Sequence, residues 1–495
     1  MGDPLQISIF FGISALIGFL TWLQCRKSKV GDRSSGHDYF LANGGLSWYF
    51  VAGSITLTNL STDQLVGMNG NQMLLLAWWE LAAVCGLFIL AFVFLPIYYR
   101  NECTTTTELL QKKYNDKHIR AVISVLFLAG NIFIFLPSIL YGGSLFLVSL
   151  SGIDLSPIVG ERLFVGSPVE VDGTIFALSI LFAIVGAAYA ILGGLRAVAV
   201  SDTYSGVLIL TLALLVVYLA LRAINFDFSD IPAERLSMIG NNVSPIPWHT
   251  LFTGMIFIQT FYWSTNQTIT QRAMAAPNIG EAQKGVLTAA GIRLLIVPVI
   301  VTVPGVVAYK LFGDVNDAAY GMIVGEVLPA WLSGAFAAGI AAAVLTTFNS
   351  ILNASAALYV CDFHEAYIGK AKNVPYVSGV FSVAMTLAAI LLVPVYASQE
   401  SIINTVQELY GLLSMPILSA FIVGLVFRNV AAGAAIIGVV GGVAIYYYLS
   451  QILEPFHYIH SMFVTLVFSV LVSLLANLVV FGRRASFIEF RKAVS

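Results

Sequence analysis

The sequence predicts an all-α protein that crosses a membrane about thirteen times, with an inverted-repeat core in which two helices are broken. Three observations support this fold class. Of the 495 residues, 58% are hydrophobic and only 10% are charged, and the mean hydropathy is +0.88. Apolar runs of about 20 residues recur along the chain, whereas a membrane barrel would show short alternating segments. Two of these runs contain clusters of polar residues.

The apolar runs divide the chain into thirteen predicted spans. The first has neither a basic segment before it nor a small-residue cleavage site, so we expect a retained helix rather than a signal peptide. The fourth and ninth runs are long enough to predict a tilted or broken helix. The spans cover residues 5–25, 48–69, 72–98, 121–150, 173–192, 203–224, 248–270, 285–310, 325–361, 375–396, 402–427, 431–452 and 457–481.

The distribution of basic residues predicts the orientation. Of the 24 Lys and Arg residues, nineteen fall in segments that are cytoplasmic if the N-terminus is outside. Four fall on the other side (Arg162, Arg222, Arg235 and Lys310), and Arg293 lies within a span. Because cytoplasmic segments are enriched in Lys and Arg, we expect the N-terminus outside and the C-terminus in the cytoplasm. The expected location is the plasma membrane, which is the inner membrane in a bacterium.

Two polar interruptions lie five spans apart. The second span contains LTNLSTDQLVGMNG (57–70), and the seventh contains FIQTFYWSTNQTITQR (257–272). Paired interruptions of this kind indicate a secondary transporter with inverted repeats, whose binding site lies at the breaks. The alternative is that these Ser, Thr and Asn residues only join helices to one another. The sequence has no Walker A motif, so ATP is not the expected energy source.

Several ionisable residues are predicted to lie in the membrane, where each charge costs at least about 2.5–3.5 kcal/mol and therefore indicates function. They are Asp63, Glu80, Asp202, Arg293 and Glu408. Asp202 has an alternative role as a helix cap after a cytoplasmic turn, and either Glu408 or Gln407 could lie at the surface. Arg293 either extends its side chain to the cytoplasm or pairs with a buried acid.

The ninth span begins with small residues and continues with polar ones. Residues 334–343 allow another backbone to approach closely. Thr346 and Thr347 follow, and adjacent hydroxyl groups near backbone carbonyls freed at a helix break can coordinate a hard cation such as Na⁺.

Several motifs together resemble the sodium:solute symporter family, especially its sodium/glucose and bacterial sodium/galactose cotransporters. The motifs are DYFLANGGLSW (38–48), NLSTDQLVGM (59–68), YAILGGLRAVAVSD (189–202), FYWSTNQTITQRAMAA (261–276), EAQKG (281–285), LTTFNSILNASAAL (345–358), QELYGLLSMPIL (407–418) and GLVFRNVAAGAAIIGVVGG (424–442). The resemblance implies a core of ten helices over residues 38–427, in which the first and sixth core helices are broken. A peripheral helix (1–30) would precede this core, and two helices with a short cytoplasmic tail (428–495) would follow it.

The resemblance also implies site residues. The Na⁺ ligands would be the carbonyl groups of Leu57, Leu60 and Ala343 and the hydroxyl groups of Thr346 and Thr347. The solute contacts would be Asn59, Gln64, Glu80, Gln259, Tyr262, Arg293 and Gln407. Asp202 matches an acidic residue on the ion exit path. The chain departs from the family pattern at Arg293, which replaces a Lys, and at Gln259, which replaces an Asn.

These residues predict sodium-coupled symport of a neutral sugar, with Na⁺, the solute and the lipid bilayer as the partners and no nucleic acid. Two alternatives stay open: another solute (inositol, a carboxylate such as sialic acid, or an amino acid) and proton coupling through Asp63 or Asp202. We expect a secondary active transporter and not an intramembrane enzyme. No H-E-x-x-H motif, Asp-rich diphosphate motif or nucleophile elbow supports the enzyme. Asp63 has no assigned role.

Overall fold

The computed structural model describes residues 4–26, 39–60, 62–454 and 456–488, and most of this chain is helical. The first half contains α1 Pro4–Arg26, α2 Trp48–Asn59, α3 Thr62–Gly70, α4 Trp78–Ile89, α5 Leu95–Arg100, α6 Thr106–Tyr114, α7 Lys117–Gly130, α8 Leu136–Ser151, α9 Ser156–Val159, α10 Gly173–Ala223 and α11 Ala233–Leu236. The second half contains α12 Gly254–Ser264, α13 Gln267–Met274, α14 Ile279–Leu295, α15 Val297–Phe312, α16 Ala319–Val327, α17 Ala330–Ala357, α18 Val374–Ala397, α19 Ile402–Val426, α20 Ala432–Tyr448 and α21 Tyr458–Val479.

Shorter elements complete the structure. Turns of π-helix connect or extend the α-helices at Leu90–Phe94, Asn131–Phe135, Leu358–Ile368 and Leu449–Leu453. Short 3₁₀ helices lie at Ala42–Gly44, Leu74–Ala77, Trp248–Phe252 and Asn316–Ala318. Two antiparallel strand pairs lie outside the helices: β1 Arg162–Leu163 with β2 Val171–Asp172, and β3 Phe427–Arg428 with β4 Ser486–Phe487.

The prediction of a polytopic helical membrane protein is confirmed. Within the described residues, ten helical segments are long and apolar enough to cross a membrane. The apolar segment Ser8–Gln24 of α1 and the two broken helices, α2–α3 and α12–α13, are shorter and fall outside this set. The total of thirteen spans stays a prediction.

The predicted spans 173–192 and 203–224 correspond to two of the ten membrane-length segments, Gly173–Ala190 and Leu195–Ala223, which both lie within α10. One predicted boundary is wrong. The predicted span 325–361 begins too early, since α16 ends at Val327 and Pro329 caps the start of α17. Proline fixes its own φ and carries no N–H, so it fits the residue before a new helix better than a helix interior.

Glycines allow the helices around the breaks to approach closely. A methyl group on Gly53 of α2 would lie 2.4 Å from the Thr203 hydroxyl of α10. A methyl group on Gly86 of α4 would lie 2.4 Å from the carbonyl oxygen of Gln259 on α12. Both distances are shorter than van der Waals contact, so only glycine fits, and both broken helices are held tightly against unbroken neighbours.

Candidate functional site

The first polar interruption forms a helix break. Helix α2 ends at Asn59, and α3 begins at Thr62. Leu60 leaves the helix with φ −77° and ψ 61°, although its N–H still donates to the Thr56 carbonyl at 2.9 Å. A helix end leaves its last carbonyl groups without helical donors, so a break inside a membrane makes backbone oxygen atoms available to a ligand. The break lies where the sequence predicts it.

The second polar interruption also forms a break. Helix α12 ends at Ser264 and α13 begins at Gln267, with Thr265 and Asn266 in non-helical conformations between them. The Asn266 side-chain oxygen accepts the backbone N–H of Thr268 at 2.9 Å and so caps α13. Asn favours this position because its short side chain replaces a missing backbone hydrogen bond.

The two breaks border a small polar cavity, which we term the first cavity. Six of the seven predicted solute contacts line it: Asn59, Gln64, Glu80, Gln259, Tyr262 and Gln407. The seventh, Arg293, contacts Glu80 without lining the cavity itself. The fold therefore brings together residues from five helices that the sequence separates by more than 300 positions.

A buried ion pair forms part of the cavity wall. Arg293 Nη1 contacts Glu80 Oε2 directly, and both side chains are almost fully buried. Arg293 Nη2 donates to the Thr56 carbonyl of α2 at 3.2 Å, and the guanidinium lies 4.4 Å from the centre of the Trp263 ring. Since each charge compensates the other, the wall is neutral overall. The pairing of Arg293 with a buried acid is confirmed, and the extension of its side chain to the cytoplasm is wrong.

The amide of Gln259 is held by two tryptophans. Its Nε2 donates to the Trp79 carbonyl at 2.7 Å, and its Oε1 accepts the Trp263 indole N–H at 2.8 Å. The first bond joins α12 to the backbone of α4, and the second lies within α12. Gln259 therefore positions the Trp263 ring as well as lining the cavity.

Two buried acceptors in the first cavity are unused. The side-chain oxygens of Asn59 and Gln64 have no hydrogen-bond partner among the described residues. The Asn59 amide nitrogen donates to the Tyr262 hydroxyl at 3.0 Å, which sets the tyrosine ring beside the first break. Because a buried acceptor without a donor is unfavourable, these oxygens suit a ligand that carries hydroxyl donors.

The structure adds aromatic residues that the sequence reasoning missed: Trp79, Phe135, Trp263 and Tyr410. For two of them, Trp263 and Tyr410, the spacing in the sequence indicates a position in the site. Trp263 follows Gln259 by four residues and Tyr410 follows Gln407 by three, so each pair shares a helix face. Phe135 lies in an apolar run, where an aromatic residue normally indicates core packing.

The predicted ion ligands lie on two helices that contact each other, α2 and α17. Leu57 and Leu60 are fully buried at the end of α2. On α17, the Thr346 hydroxyl donates to the Ala343 carbonyl at 3.2 Å. The buried Thr347 hydroxyl has no partner in the described part of the chain. These positions agree with a shared site, while their role in ion binding stays a prediction.

Asp202 lies next to these hydroxyl groups. Its Oδ2 accepts hydrogen bonds from Ser54 at 2.6 Å and Thr58 at 3.3 Å, and the Thr346 hydroxyl also interacts with the carboxylate. Arg272 Nη2 lies 3.9 Å away. Asp202 is fully buried inside α10, so the helix-cap alternative is wrong.

Two other acidic residues are less informative. Glu408 is half-buried and accepts a hydrogen bond from Gln451 Nε2 at 2.8 Å, whereas its neighbour Gln407 faces the first cavity. Glu408 is therefore the one of the two that lies nearer the surface. The side chain of Asp63 lies outside the described part of the structure.

Two broken helices around a polar cavity, inside a bundle of long apolar helices, define a secondary transporter with inverted repeats. The chain belongs to the sodium:solute symporter family, which it matches over residues 39–163 and 171–442. Members of this family are secondary transporters, so the enzyme alternative is excluded.

Two related sequences and one solved structure illustrate the likeness. The chain is 32% identical to the uncharacterized symporter YidK of Escherichia coli K12, over 96% of this chain and 84% of the relative. It is 29% identical to the sodium/glucose cotransporter of Vibrio parahaemolyticus, over 95% and 89% of the two chains. A Na⁺-coupled sialic acid symporter in a substrate-bound, outward-open state superposes with a TM-score of 0.79 at 16% identity, over 98% of this chain and 100% of that one. This last likeness shows the fold.

Proposed function

We propose that the protein is a sodium-coupled symporter that imports a neutral sugar, a monosaccharide resembling galactose or glucose, by alternating access. The observation that carries this proposal is the chemistry of the first cavity. It offers unpaired acceptors on Asn59 and Gln64, a neutralised Glu80–Arg293 pair and the ring of Tyr262. A neutral sugar has many hydroxyl donors, no charge and an apolar face that packs on an aromatic ring.

Each solute residue has a proposed role. Gln64, Glu80 and Gln407 hydrogen-bond the sugar hydroxyls. Gln259 does so through the hydrogen-bonding capacity of its amide that its bonds to Trp79 and Trp263 do not use. Arg293 pairs with Glu80 and holds its carboxyl group in place, and Tyr262 stacks on the sugar ring while Asn59 donates to the Tyr262 hydroxyl.

The coupling ion is proposed to be Na⁺. The carbonyls of Leu57, Leu60 and Ala343 and the hydroxyls of Thr346 and Thr347 supply five oxygen ligands, the type that hard cations prefer. Binding there would fix the break between α2 and α3 in the shape that forms the first cavity. Inward movement of one Na⁺ supplies about 2.3 kcal/mol per 100 mV of membrane potential. Asp202, beside Thr346, lies on the proposed exit path.

The main alternative is a symporter for another solute, such as inositol, a carboxylate like sialic acid, or an amino acid. A carboxylate needs a free cation, and the nearest guanidinium, Arg293, is already engaged by Glu80 and the Thr56 carbonyl. Proton coupling through Asp63 or Asp202 is the other alternative. We propose Na⁺ because the Thr347 hydroxyl beside the helix break is unpaired, which suits a bare cation.

The orientation and the division of the chain are also proposals. The distribution of Lys and Arg supports an N-terminus outside and a C-terminus in the cytoplasm of the plasma membrane. Helix α1, within residues 1–30, would lie beside the core at 38–427. It packs closely on α17 of this core, because Gly334 has no side chain to prevent the approach of α1. The two helices of residues 428–495 would follow the core.

The test is uptake of labelled galactose into proteoliposomes that contain the purified full-length chain. We expect uptake when a Na⁺ gradient is imposed at fixed pH, and no uptake with K⁺ in its place. Competition with glucose, myo-inositol, sialic acid and an amino acid mixture then ranks the solutes. Stronger competition by sialic acid or amino acids than by the sugars would overturn the neutral-sugar assignment. Uptake that follows a pH gradient in the absence of Na⁺ would overturn sodium coupling.

A further inference from the structure

The second half of the first broken helix, α3, is bound to a proline site in α15. Pro304 lies inside α15 and has no N–H, so the Ile300 carbonyl lacks the donor that a regular helix would supply. Asn69 of α3 supplies one, because its Nδ2 donates to the Ile300 carbonyl at 3.2 Å. Its Oδ1 accepts the Gly305 N–H at 2.7 Å. One fully buried amide therefore binds the α15 backbone on both sides of the proline.

The contact between α3 and α15 is also close. A methyl group on Gly305 would lie 2.2 Å from the Asn69 carbonyl oxygen, so only glycine lets the two backbones meet here. Gln72, two residues after α3, adds a second pair of bonds. Its Nε2 donates to the Gly313 carbonyl at 2.9 Å, and its Oε1 accepts the Val315 N–H at 3.2 Å. Because these bonds end on backbone groups, they fix the register of α3 against α15.

The first half of the broken helix, α2, is held by the same membrane-length segment, Ile279–Phe312. Arg293 of α14 donates to the Thr56 carbonyl of α2 at 3.2 Å and contacts Glu80 in the wall of the first cavity. Helical hydrogen bonding continues from α14 into α15, where the Ile300 N–H donates to the Ile296 carbonyl at 3.3 Å. Ile300 follows Arg293 by about two helical turns, so both contacts lie on one face of the segment.

Both halves of the broken helix therefore depend on one partner. The proposed ion carbonyls, on Leu57 and Leu60, lie in the chain between the two anchoring points, and so does Gln64, a proposed solute contact. The same partner reaches the solute site through Arg293 and Glu80. A continuous set of contacts thus joins the proposed ion site to the proposed solute site, as energetic coupling between two ligands requires.

We propose that Asn69 is a positioning residue that couples Na⁺ binding to solute binding. This inference rests on the proposed function, because it uses the ion and solute sites assigned there. Na⁺ fixes the carbonyl groups at the break, and Asn69 holds α3 in the register that presents Gln64 to the first cavity. The solute is then bound more tightly. By linkage, the solute tightens the binding of Na⁺ by the same factor.

Two substitutions weaken this link. Asn69→Ser keeps a hydroxyl for the Leu65 carbonyl of its own helix but is too short to reach α15. Pro304→Ala supplies an N–H to the Ile300 carbonyl, so Asn69 loses an acceptor without being changed itself. Asn477→Ser is the matched control. The Asn477 amide also donates to two carbonyls and accepts one backbone N–H, but it lies on α21, which lines neither proposed site.

The measurement is equilibrium binding of labelled galactose to the purified full-length chain, in Na⁺ and with choline in its place. The ratio of the two Kd values is the coupling factor. We expect it to fall at least about fivefold in Asn69→Ser and in Pro304→Ala, since couplings of this kind are typically about 5–150-fold. Asn477→Ser should keep the wild-type factor. The double variant Asn69→Ser/Pro304→Ala should fall no further than either single variant, because both act on one contact.

An unchanged coupling factor in Asn69→Ser would overturn the proposal. If that variant does not fold, the same result in Pro304→Ala, which leaves the Asn69 side chain in place, would overturn it. An equal fall in Asn477→Ser would show that any loss of packing lowers the factor, and it would also overturn the proposal. A wild type that fails to bind galactose, or binds it equally with and without Na⁺, would instead refute the proposed function, so the two failures are distinguishable.

Discussion

Two buried arginine–carboxylate pairs flank helix α2, and they differ in how completely they are satisfied. In the tight pair, Arg293 contacts Glu80 directly and also donates to the Thr56 carbonyl. In the loose pair, Arg272 Nη2 stays 3.9 Å from Asp202 Oδ2. Ser54 bridges the loose pair, because it donates to Asp202 and accepts from Arg272 Nε at 2.8 Å.

Each residue of the loose pair has a polar atom that makes no hydrogen bond. Asp202 Oδ1 and Arg272 Nη2 have no hydrogen-bond partner in the described ranges, although both residues are fully buried. A closed pair suits the fixed wall of a cavity for a neutral solute, whereas an incomplete pair can attract a passing cation. The tight pair therefore lies beside the first cavity, the proposed solute site, and the loose pair lies beside the proposed ion site. Both contact α2, so a movement of this half-helix changes both.

The largest expected effect comes from breaking the tight pair. Arg293→Gln leaves the Glu80 carboxylate buried without a cation, which should lower the free energy of unfolding by about 3–5 kcal/mol. The double variant Glu80→Gln/Arg293→Gln removes both charges and should recover most of that loss. Thermal unfolding in detergent checks both. Equal stability of the single and double variants would show that Arg293 does not compensate the charge of Glu80.

A smaller loss of stability is expected at the loose pair. In Asp202→Asn the carboxamide oxygen still accepts from Ser54, and Arg272 keeps its bonds to Ser54 and the Thr268 carbonyl. We therefore expect a loss of about 1–3 kcal/mol, the size of a hydrogen bond to a charged group. The same thermal unfolding assay gives the comparison, and a loss as large as that of Arg293→Gln would contradict the distinction between the two pairs.

The ion side is tested at Thr347, the proposed ligand without a protein partner. Thr347→Ala should weaken the apparent Na⁺ affinity of uptake by about tenfold, equivalent to about 1.4 kcal/mol. Thr347→Ser keeps the hydroxyl and is the control, which should stay close to wild type. An unchanged Na⁺ affinity in Thr347→Ala would refute the assignment of this residue.

Asp317 extends the comparison to a buried carboxylate that has no arginine. Its Oδ2 accepts the Ile402 N–H at 2.9 Å, and its Oδ1 has no partner among the residues the structure describes. Burial raises the pKa of Asp317 to about 7, although the hydrogen bond from Ile402 partly opposes this change. Without a cation nearby, the carboxyl group takes up a proton instead.

The raised pKa predicts a pH-dependent stability. The folded state holds the Asp317 proton more tightly than the unfolded state, so this stabilisation is complete below about pH 4 and is lost as the pH rises through about 7. Between pH 6 and pH 7 the loss should be about 1 kcal/mol. Asp317→Asn should remove this dependence while its oxygen still accepts from Ile402. Thermal unfolding at pH 6 and pH 7 checks this. An equal loss of stability in the wild type and in Asp317→Asn between these two pH values would contradict the prediction.

Sequence reasoning predicted the breaks well and the side-chain partners less well. Both polar interruptions became breaks because Asn, Ser and Thr compete with helical hydrogen bonds at the point where they cluster. The sequence alone does not decide the partner of Arg293, since Glu80 is distant in sequence and only packing of α14 on α4 brings the two together. The sequence leaves Asp202 open as a helix cap because the predicted span begins at residue 203, whereas the helix in the structure already includes Asp202.

The sequence by itself determined the membrane-spanning helical class, the two breaks and the family, because hydropathy and clustered polar residues act over one or two helical turns. Only the tertiary structure decided which charges neutralise each other and where the unpaired oxygens of Asn59, Gln64 and Thr347 lie. It also brought the Tyr262 ring to the first helix break, where Asn59 donates to its hydroxyl in the wall of the first cavity. These features depend on contacts between helices that are remote in the chain, and such contacts follow from close packing and charge compensation, which leave no local pattern in the sequence.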